Sequence, residues 1–418
     1  MKPYKLTQQS VELEHEFAMV MRKQVMWGFA FDKNEAIQLY ASLASRRSQL
    51  DEELQEVFPP IRLEAGHPDG LKTKPKIITF NPGSRKHIAE RFIAKGWEPK
   101  RFTPEGKPQI DEAVLSSIPF PEAALLNEYL MVAKRISQLA EADGAWIKLE
   151  RRGRIFGDVL TNATITGRCS HRSPNMAQVP NLSSPYGKEC RSLFVTTFPD
   201  WSLIGIDFSG LEIRVCASYT APYDKGELIR EVCEGDIHTE NQKALSLPSR
   251  DVAKTYLYAT LYNAGDAKLG SIVGGGQAEG RRLKKRFFER WPGIAKLKHR
   301  IDQTIKQRGY LTGLDGRILP VRSHASLNTL LQSGGAVLMK QFTLSLHRRL
   351  GAEGYKFGSD YAQVAHIHDE VQLECKAEIK ETLAEISLGT LSESGTNFPF
   401  KCPLAGEAKF GSNWAETH

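Results

Sequence analysis

Residues 204–214 read IGIDFSGLEIR, a short apolar run that ends at Asp207 and reads as a strand carrying a carboxylate at its tip. A second run, AHIHDEVQLEC over 365–375, does the same with Asp369, 162 positions further on. Between them lies SRDVAKTYLYATLYNAGD, 249–266, which sets Arg250, Lys254, Tyr258 and Tyr262 at four-residue steps. Successive members of such a series drift by only about 40° around a helix, so the four share one stripe roughly 18 Å long. Carboxylates delivered by separate strands can hold two divalent cations, and a helix with cations and aromatics along one face can hold a triphosphate and a base. Together these features describe a nucleotidyl-transfer site.

The whole chain sets bounds on that reading. Its 418 residues suffice for two or three subdomains with a sizeable core. With 56 Lys+Arg against 49 Asp+Glu the net charge is +7, modest for the length but suited to a polyanion where it clusters. GRRLKKRFFER, 280–290, is such a cluster, or else a solvated helix face. Six cysteines fall singly at 169, 190, 216, 233, 375 and 402, without metal-ligand spacing, as reduced thiols of a cytosolic protein would. The opening MKPYKLTQQSVELEHEF has no apolar core of a signal peptide, and no apolar run approaches the roughly 18 residues of a membrane span. The expectation is a soluble, cytoplasmic protein with no membrane partner.

Helical periodicity over 10–56, broken near Trp27 and Gly28, predicts two long amphipathic helices in antiparallel arrangement. The Pro-, Gly- and Lys-rich 58–84 reads as an extended connector, and short helices return from Arg85 to Leu149. From Arg154 to Val195 the texture is turns and short strands, with TGRCSHRSPNMAQVPNLSSPYGKECR almost free of helical pattern. Asp236 to Arg308 is strongly helical, GLDGRILPV carries an Asp-Gly hairpin turn, and a helix from about Ser326 to Leu350 precedes the second carboxylate strand. This order describes a sheet interrupted by a helical subdomain, with the two carboxylate strands as neighbours.

Phosphoryl transfer from a nucleoside triphosphate needs Mg2+, a hard ion that takes oxygen ligands, and Asp207 and Asp369 supply them. Arg250 and Lys254 would meet the triphosphate, and Tyr258 and Tyr262 would lie beside sugar and base. Taken alone, the stripe is equally an amphipathic helix with two core tyrosines. His238, in EGDIHTENQ, can donate to a phosphate oxygen or serve the helix start. Arg168, Asn328 and Gln332 suit minor-groove acceptors, where readout is degenerate, or are surface polar residues. Other patterns fall away. GSIVGGGQAEG lacks the Gly-Lys-Ser/Thr of a phosphate loop, His366 and His368 have no third metal ligand at suitable spacing, and Glu12 and Glu14 sit in a helical pattern.

These stretches, in this order, resemble the DNA polymerases of family A, and among them the replicative polymerases of podovirus-type phages. DFSGLEIR is similar to the family's first catalytic motif, RDVAKTYLYATLYNAGD to its second and HDEV to its third. The resemblance runs from about residue 10 through ATITGRCSHRSPNMAQVPN, SPYGKECR, GDIHTENQ, LKKRFFERWPGIAKL and LNTLLQSGGA to the terminal GSNWAETH. It implies an α+β right hand: a helical thumb at 1–145, a palm with an antiparallel sheet at 146–217 and 326–418, and helical fingers at 218–325. The activity it implies is template-directed 5′–3′ primer extension with dNTPs by two-metal phosphoryl transfer, in phage DNA replication, with two Mg2+ ions.

Carried over by position, Asp207 and Asp369 would be the metal ligands, joined by the backbone carbonyl of Phe208. Arg250, Lys254 and His238 would bind the triphosphate, Tyr258 would sit against the sugar and Tyr262 near the template base. Glu212 matches the residue that blocks a ribose 2′-hydroxyl, and Arg168, Asn328, Gln332 and His368 match contacts to the primer-template. Three departures stand out. Asn263 occupies the place where the family normally has glycine, which bears on backbone freedom there. The family's proofreading exonuclease is expected to be absent, and 58–84 is far shorter than the thumb insertion with which the nearest phage relatives bind thioredoxin. Primer-template DNA and dNTPs are therefore the expected partners, with room for a separate exonuclease chain or other replisome proteins and against a thioredoxin. A single-subunit RNA polymerase is the alternative enzyme, opposed by Glu212 and Glu370. A catalytically idle DNA-binding subunit would require loss of an aspartate or phosphate ligand, and all are present.

Overall fold

Trp201–Phe208 is an almost wholly buried strand in the computed structural model, which describes residues 7–66, 73–321 and 325–418. Glu370–Lys376 pairs antiparallel along one side of it, with Glu370 opposite Asp207, and Gly406–Gly411 along the other, with Glu407 opposite Asp207. Tyr361–Ile367 completes a four-stranded antiparallel sheet beyond Glu370–Lys376. The strand that follows Asp369, Glu370–Lys376, is thus the direct neighbour of the strand that carries Asp207, while the strand that leads into Asp369, Tyr361–Ile367, lies one place further out than expected.

The alternation in EVQLECK follows from what covers each face. Val371, Leu373 and Cys375 enter the hydrophobic core, while Glu370, Gln372 and Glu374 point the other way and are just as buried. Burying such groups costs several kcal/mol unless each is hydrogen-bonded. The Trp414 indole N–H donates to Glu370 at 2.6 Å, the Thr417 hydroxyl to Gln372 at 2.8 Å, and the Trp27 indole N–H to Glu374 at 2.5 Å. On the apolar face, the helix Lys380–Glu393 packs against Trp201–Phe208 and Gly406–Gly411, and in turn against Ser326–Ala352. Ser326–Ala352 is buried at every position from 333 to 344, which explains why it shows little amphipathic pattern. Its Phe342 ring meets Phe208 edge-on at 5.4 Å.

The helix Gln8–Trp27 starts at a Thr7 cap and buries Leu13, Phe17, Met21 and Gln24 against Ser326–Ala352 and Tyr361–Ile367. Lys33–Val57, expected as its antiparallel partner, falls in the other compact unit. Gly28, at φ 74, ends the first helix, and Phe29 and Ala30 then pair with Ile155 and Arg154 as a strand. The first unit takes the residues through Ala30, Arg154–Val179 and Phe194–His418; the second takes Phe31–Gly153 and Pro180–Leu193. The cut at Ala30 lies inside the segment expected as thumb, and the first unit holds all of 218–325 together with the sheet.

Within the first unit, Ile237–Leu245, Arg250–Leu261, Asp266–Ile272, Gln277–Arg290 and Pro292–Arg308 form the helical block, closed by the hairpin Tyr310–Thr312 with Ile318–Pro320. The glycine-rich GSIVGGGQAEG is more than a turn. A Cβ on Gly280 would lie 1.8 Å from the Asp266 carbonyl oxygen, so only glycine lets these two neighbouring helices touch. In the second unit, Lys33–Val57 packs on Glu122–Ile136, with Arg46 forking onto Glu128 at 2.7 and 2.9 Å. The expected connector 58–84 contains a short hairpin, Ile61–Leu63 with Lys76–Ile78; 67–72 lies outside the described residues. Gly187–Ser192 is a helix in a stretch read as non-helical, and at six residues it is too short to show periodicity.

Candidate active site

Tyr361–Ile367 ends in the two-residue turn His368–Asp369, where His368 adopts φ 56. The Asp369 carbonyl accepts the N–H of Phe208 at 3.1 Å, which ties the turn to the strand end that carries Asp207. Two carboxylates and one further backbone carbonyl, that of Phe208, are therefore gathered at one end of the sheet. Burial lifts the Asp207 carboxyl to about 7, and the charges of Asp369 and Glu370 add to the rise. Asp369 is raised as well, again chiefly by burial. Neither carboxylate enters a salt bridge among the described residues, and the charge of Arg168, in electrostatic reach of Asp369, does not offset the effect of burial. Hard oxygen donors in that state fit a divalent cation. Among the described residues no group of three His, Cys, Asp or Glu side chains makes a metal site alone, so carbonyl, water and substrate oxygens would have to complete the coordination.

Glu370, opposite Asp207, is committed elsewhere: besides Trp414 it takes the Gln372 amide at 2.6 Å and His418 at 2.9 Å. His366 is sealed in the core with its Nδ1 3.2 Å from the Thr343 hydroxyl, and that enclosure keeps it from a metal ion.

Arg250–Leu261 begins at a Ser249 cap, its side chain accepting from the Val252 N–H at 3.2 Å. It buries Ala253, Tyr256, Leu257, Thr260 and Leu261. The core tyrosine of this helix is thus Tyr256, whereas Tyr258 is half-buried and Tyr262 is 42% exposed. Tyr262 is the residue that caps the helix end rather than a member of its last turn. The rings of His238 and Tyr258 lie 6.3 Å apart, as do those of Tyr258 and Tyr262. The Tyr262 hydroxyl donates to one carboxylate oxygen of Glu212, and Arg168 Nη2 donates to the other at 2.6 Å. The structure so brings His238, Tyr258, Tyr262, Glu212 and Arg168 into one line of contacts, and His368 and Asp369 lie within electrostatic reach of Arg168.

Asp236 is a site residue that the sequence reading missed. Its carboxylate caps Ile237–Leu245, accepting the His238 N–H at 3.0 Å and the Thr239 hydroxyl at 2.7 Å. It also takes the Arg250 fork at 2.7 and 3.2 Å, and that guanidinium holds its pKa well below the usual carboxylate range. Asp before an Ile-His-Thr start is a legible helix cap; the ion pair 14 positions away is not. His238 is pushed toward its neutral form by burial and by Arg250, and its Nδ1 is buried without a hydrogen-bond partner. Lys254 is exposed and enters no ion pair among the described residues. Asn328 and Gln332 sit one turn apart on Ser326–Ala352, both half-buried, and the Asn328 Oδ1 is buried without a partner. Among the described residues no hydrogen bond joins either to the Arg168–Glu212 pair.

A model of the DNA polymerase A family matches residues 43–416. The chain belongs to DNA polymerase family A. A DNA-directed DNA polymerase of Enterobacteria phage T3 is 38% identical to it over 494 aligned positions, spanning 98% of this chain and 70% of that protein. The DNA-directed DNA polymerase of Escherichia phage T7 is 37% identical over the same shares of the two chains. Both alignments exceed the 418 residues of this chain, so these relatives carry internal segments without a counterpart here. Among solved structures, the POL domain of Pol1 from M. smegmatis, in complex with DNA primer-template and dNTP, superimposes with a TM-score of 0.82 at 18% identity, over 96% of this chain and 70% of that one. The α+β polymerase fold expected from the motifs is the fold observed. Family A polymerases are enzymes that use divalent metal ions, and the oxygen donors of Asp207, Asp369 and Phe208 are of the kind such ions need. No helix among the described residues is long and apolar enough to cross a membrane.

Proposed function

We propose that this family A polymerase extends a DNA primer 5′ to 3′ on a DNA template with dNTPs, and that Asp207, Asp369 and the Phe208 carbonyl hold two Mg2+ ions. The observation that carries this reading is the pair of buried carboxylates without a salt bridge among the described residues, one at the end of Trp201–Phe208 and one in the turn before its neighbour Glu370–Lys376, with Tyr258 and Glu212 in electrostatic reach. Bound there, the ions would acidify the primer 3′-hydroxyl and neutralise the departing pyrophosphate. The chain's own residues do the rest. Lys254 and Arg250 receive the triphosphate, Arg250 exchanging Asp236 for phosphate. Neutral His238 donates one ring N–H to a phosphate oxygen. Tyr258 lies against the sugar, Tyr262 near the template base, and Arg168, Asn328, Gln332 and His368 contact the primer-template. A thumb at 1–145, a palm at 146–217 and 326–418 and fingers at 218–325 are the corresponding functional parts. Phage DNA replication in a host cytoplasm is the setting that the phage relatives support, and the shortness of 58–84 is the ground for expecting no thioredoxin partner.

Primer extension on a defined template, with deoxy- or ribonucleotides and with or without Mg2+, tests the reading. Extension that needs Mg2+ and prefers deoxynucleotides is expected; extension indifferent to either would refute it. Glu212 is assigned the sugar choice: its carboxylate is held by Arg168 and Tyr262, and so fixed it would exclude a 2′-hydroxyl from a nucleotide bound beside it. Glu212→Ala is expected to raise the ratio of ribo- to deoxynucleotide incorporation by about tenfold to a hundredfold. An unchanged ratio in single-turnover assays would remove Glu212 from that role.

The raised Asp207 pKa gives metal binding a definite pH dependence. A carboxylate must be ionised to ligate, and Asp207 resists ionisation until about pH 7. Mg2+ affinity is therefore expected to rise with pH, by about tenfold per unit below pH 7, and to level off above it. Without metal the sign for stability is opposite. A carboxyl whose folded pKa exceeds its unfolded value favours the folded state below the unfolded pKa, and that contribution is lost as pH rises through about 7. Added Mg2+ should then raise Tm more at pH 8 than at pH 6; an equal shift at both would contradict the assignment.

A further inference from the structure

Arg250–Leu261 ends in a Schellman arrangement: the Asn263 N–H donates to the Thr260 carbonyl at 3.0 Å and the Ala264 N–H to the Ala259 carbonyl at 2.9 Å. Such an end requires a left-handed residue, and Asn263 supplies it at φ 59. Asparagine is among the few side-chain-bearing residues that adopt this conformation readily, so it preserves the chain reversal that glycine gives. Glycine could not do the second thing Asn263 does. Its Oδ1 accepts a hydrogen bond from Lys298 Nζ, on the helix Pro292–Arg308. Lys298 is half-buried, and Lys284 reaches the same turn at the Ala264 carbonyl, 3.3 Å away. Two ammonium groups thus sit at the negative end of the helix dipole, where cations are favoured.

The residue immediately before this tether is Tyr262, whose hydroxyl is bonded to Glu212. We infer that Asn263 and Lys298 are a positioning pair: their hydrogen bond anchors the end of the Arg250 helix to Pro292–Arg308 and so fixes Tyr262 beside the place where the incoming nucleotide pairs. The inference rests on the reading of Tyr262 as a neighbour of the nascent base pair. A tethered ring loses little freedom when substrate arrives, and an untethered one must be ordered at the cost of binding. Neither Asn263 nor Lys298 touches the reacting atoms, so the effect belongs in KM rather than kcat.

Steady-state primer extension with Asn263→Gly, Lys298→Met, their combination and Asn263→Asp tests the pair, with Tm measured alongside. Asn263→Gly keeps the backbone conformation and removes the acceptor; Lys298→Met removes the donor and keeps the bulk. Each is expected to raise the KM for dNTP by about fivefold to tenfold with kcat within about twofold, as loss of one charge-assisted hydrogen bond implies. The double variant should be no worse than either single, since both remove the same bond. Asn263→Asp, which retains an acceptor for Lys298, should stay near wild type. A wild-type KM in either single variant, additive effects in the double, or a lowered Tm with unchanged KM would each overturn the pair. A wild-type chain that fails to extend the primer would instead overturn the polymerase reading, and the inference with it.

Discussion

Asp207→Ala and Asp369→Ala are each expected to lower nucleotide incorporation by at least about a thousandfold, because a metal ligand lost here removes several kcal/mol of transition-state charge stabilisation. Primer-template affinity should stay within about threefold, since duplex binding rests mainly on cationic contacts to phosphates. Folding should survive the substitution for a reason visible in the structure. Both carboxylates are buried near each other without a salt bridge among the described residues, and both resist ionisation. Removing one relieves repulsion instead of breaking a bond, so the metal-free Tm at pH 8 should be equal to or above that of the wild type. A purified, folded variant that turns over at a tenth of the wild-type rate or faster would show that the site lies elsewhere.

The motifs were legible because each is local. An apolar run that stops at an aspartate announces a strand end, and Arg250, Lys254, Tyr258 and Tyr262 at four-residue steps announce a helix. The register that puts Glu370 opposite Asp207 was not legible, because it depends on pairing across 163 positions. The alternation of Glu370, Gln372 and Glu374 marks a second face, yet nothing local says that Trp414, Thr417 and Trp27 satisfy it. Likewise the stripe of Leu13, Phe17 and Met21 shows that Gln8–Trp27 buries a face without showing that Ser326–Ala352 and Tyr361–Ile367 cover it. Asn263 looked like a departure that disturbs the turn after Tyr262. Its φ of 59 shows the turn intact, and the Lys298 bond shows what a side chain at that position adds.

Lys254→Ala should cost more than Arg250→Ala, and the difference follows from what each cation does before substrate arrives. Arg250 is already neutralised by Asp236 through two hydrogen bonds, so a triphosphate must displace that carboxylate to gain the guanidinium. Lys254, one helical turn further on, has no ion-pair partner among the described residues and offers its full charge without an exchange. It also lies in electrostatic reach of His238, whose ring it helps to keep neutral. In a site whose chemistry is positioning and electrostatics, loss of one unpaired ammonium over the phosphates is expected to lower kcat/KM by about a hundredfold to a thousandfold. Arg250→Ala should lose about tenfold, with part of the loss appearing as lower stability because Asp236 is left as a cap without its counter-charge. Asp236→Asn separates the two contributions: it keeps a capping acceptor while releasing Arg250, and should lower the KM for dNTP in the Lys254 wild-type background. Equal losses for Lys254→Ala and Arg250→Ala, with no response to Asp236→Asn, would show that the Asp236 pair does not compete with substrate.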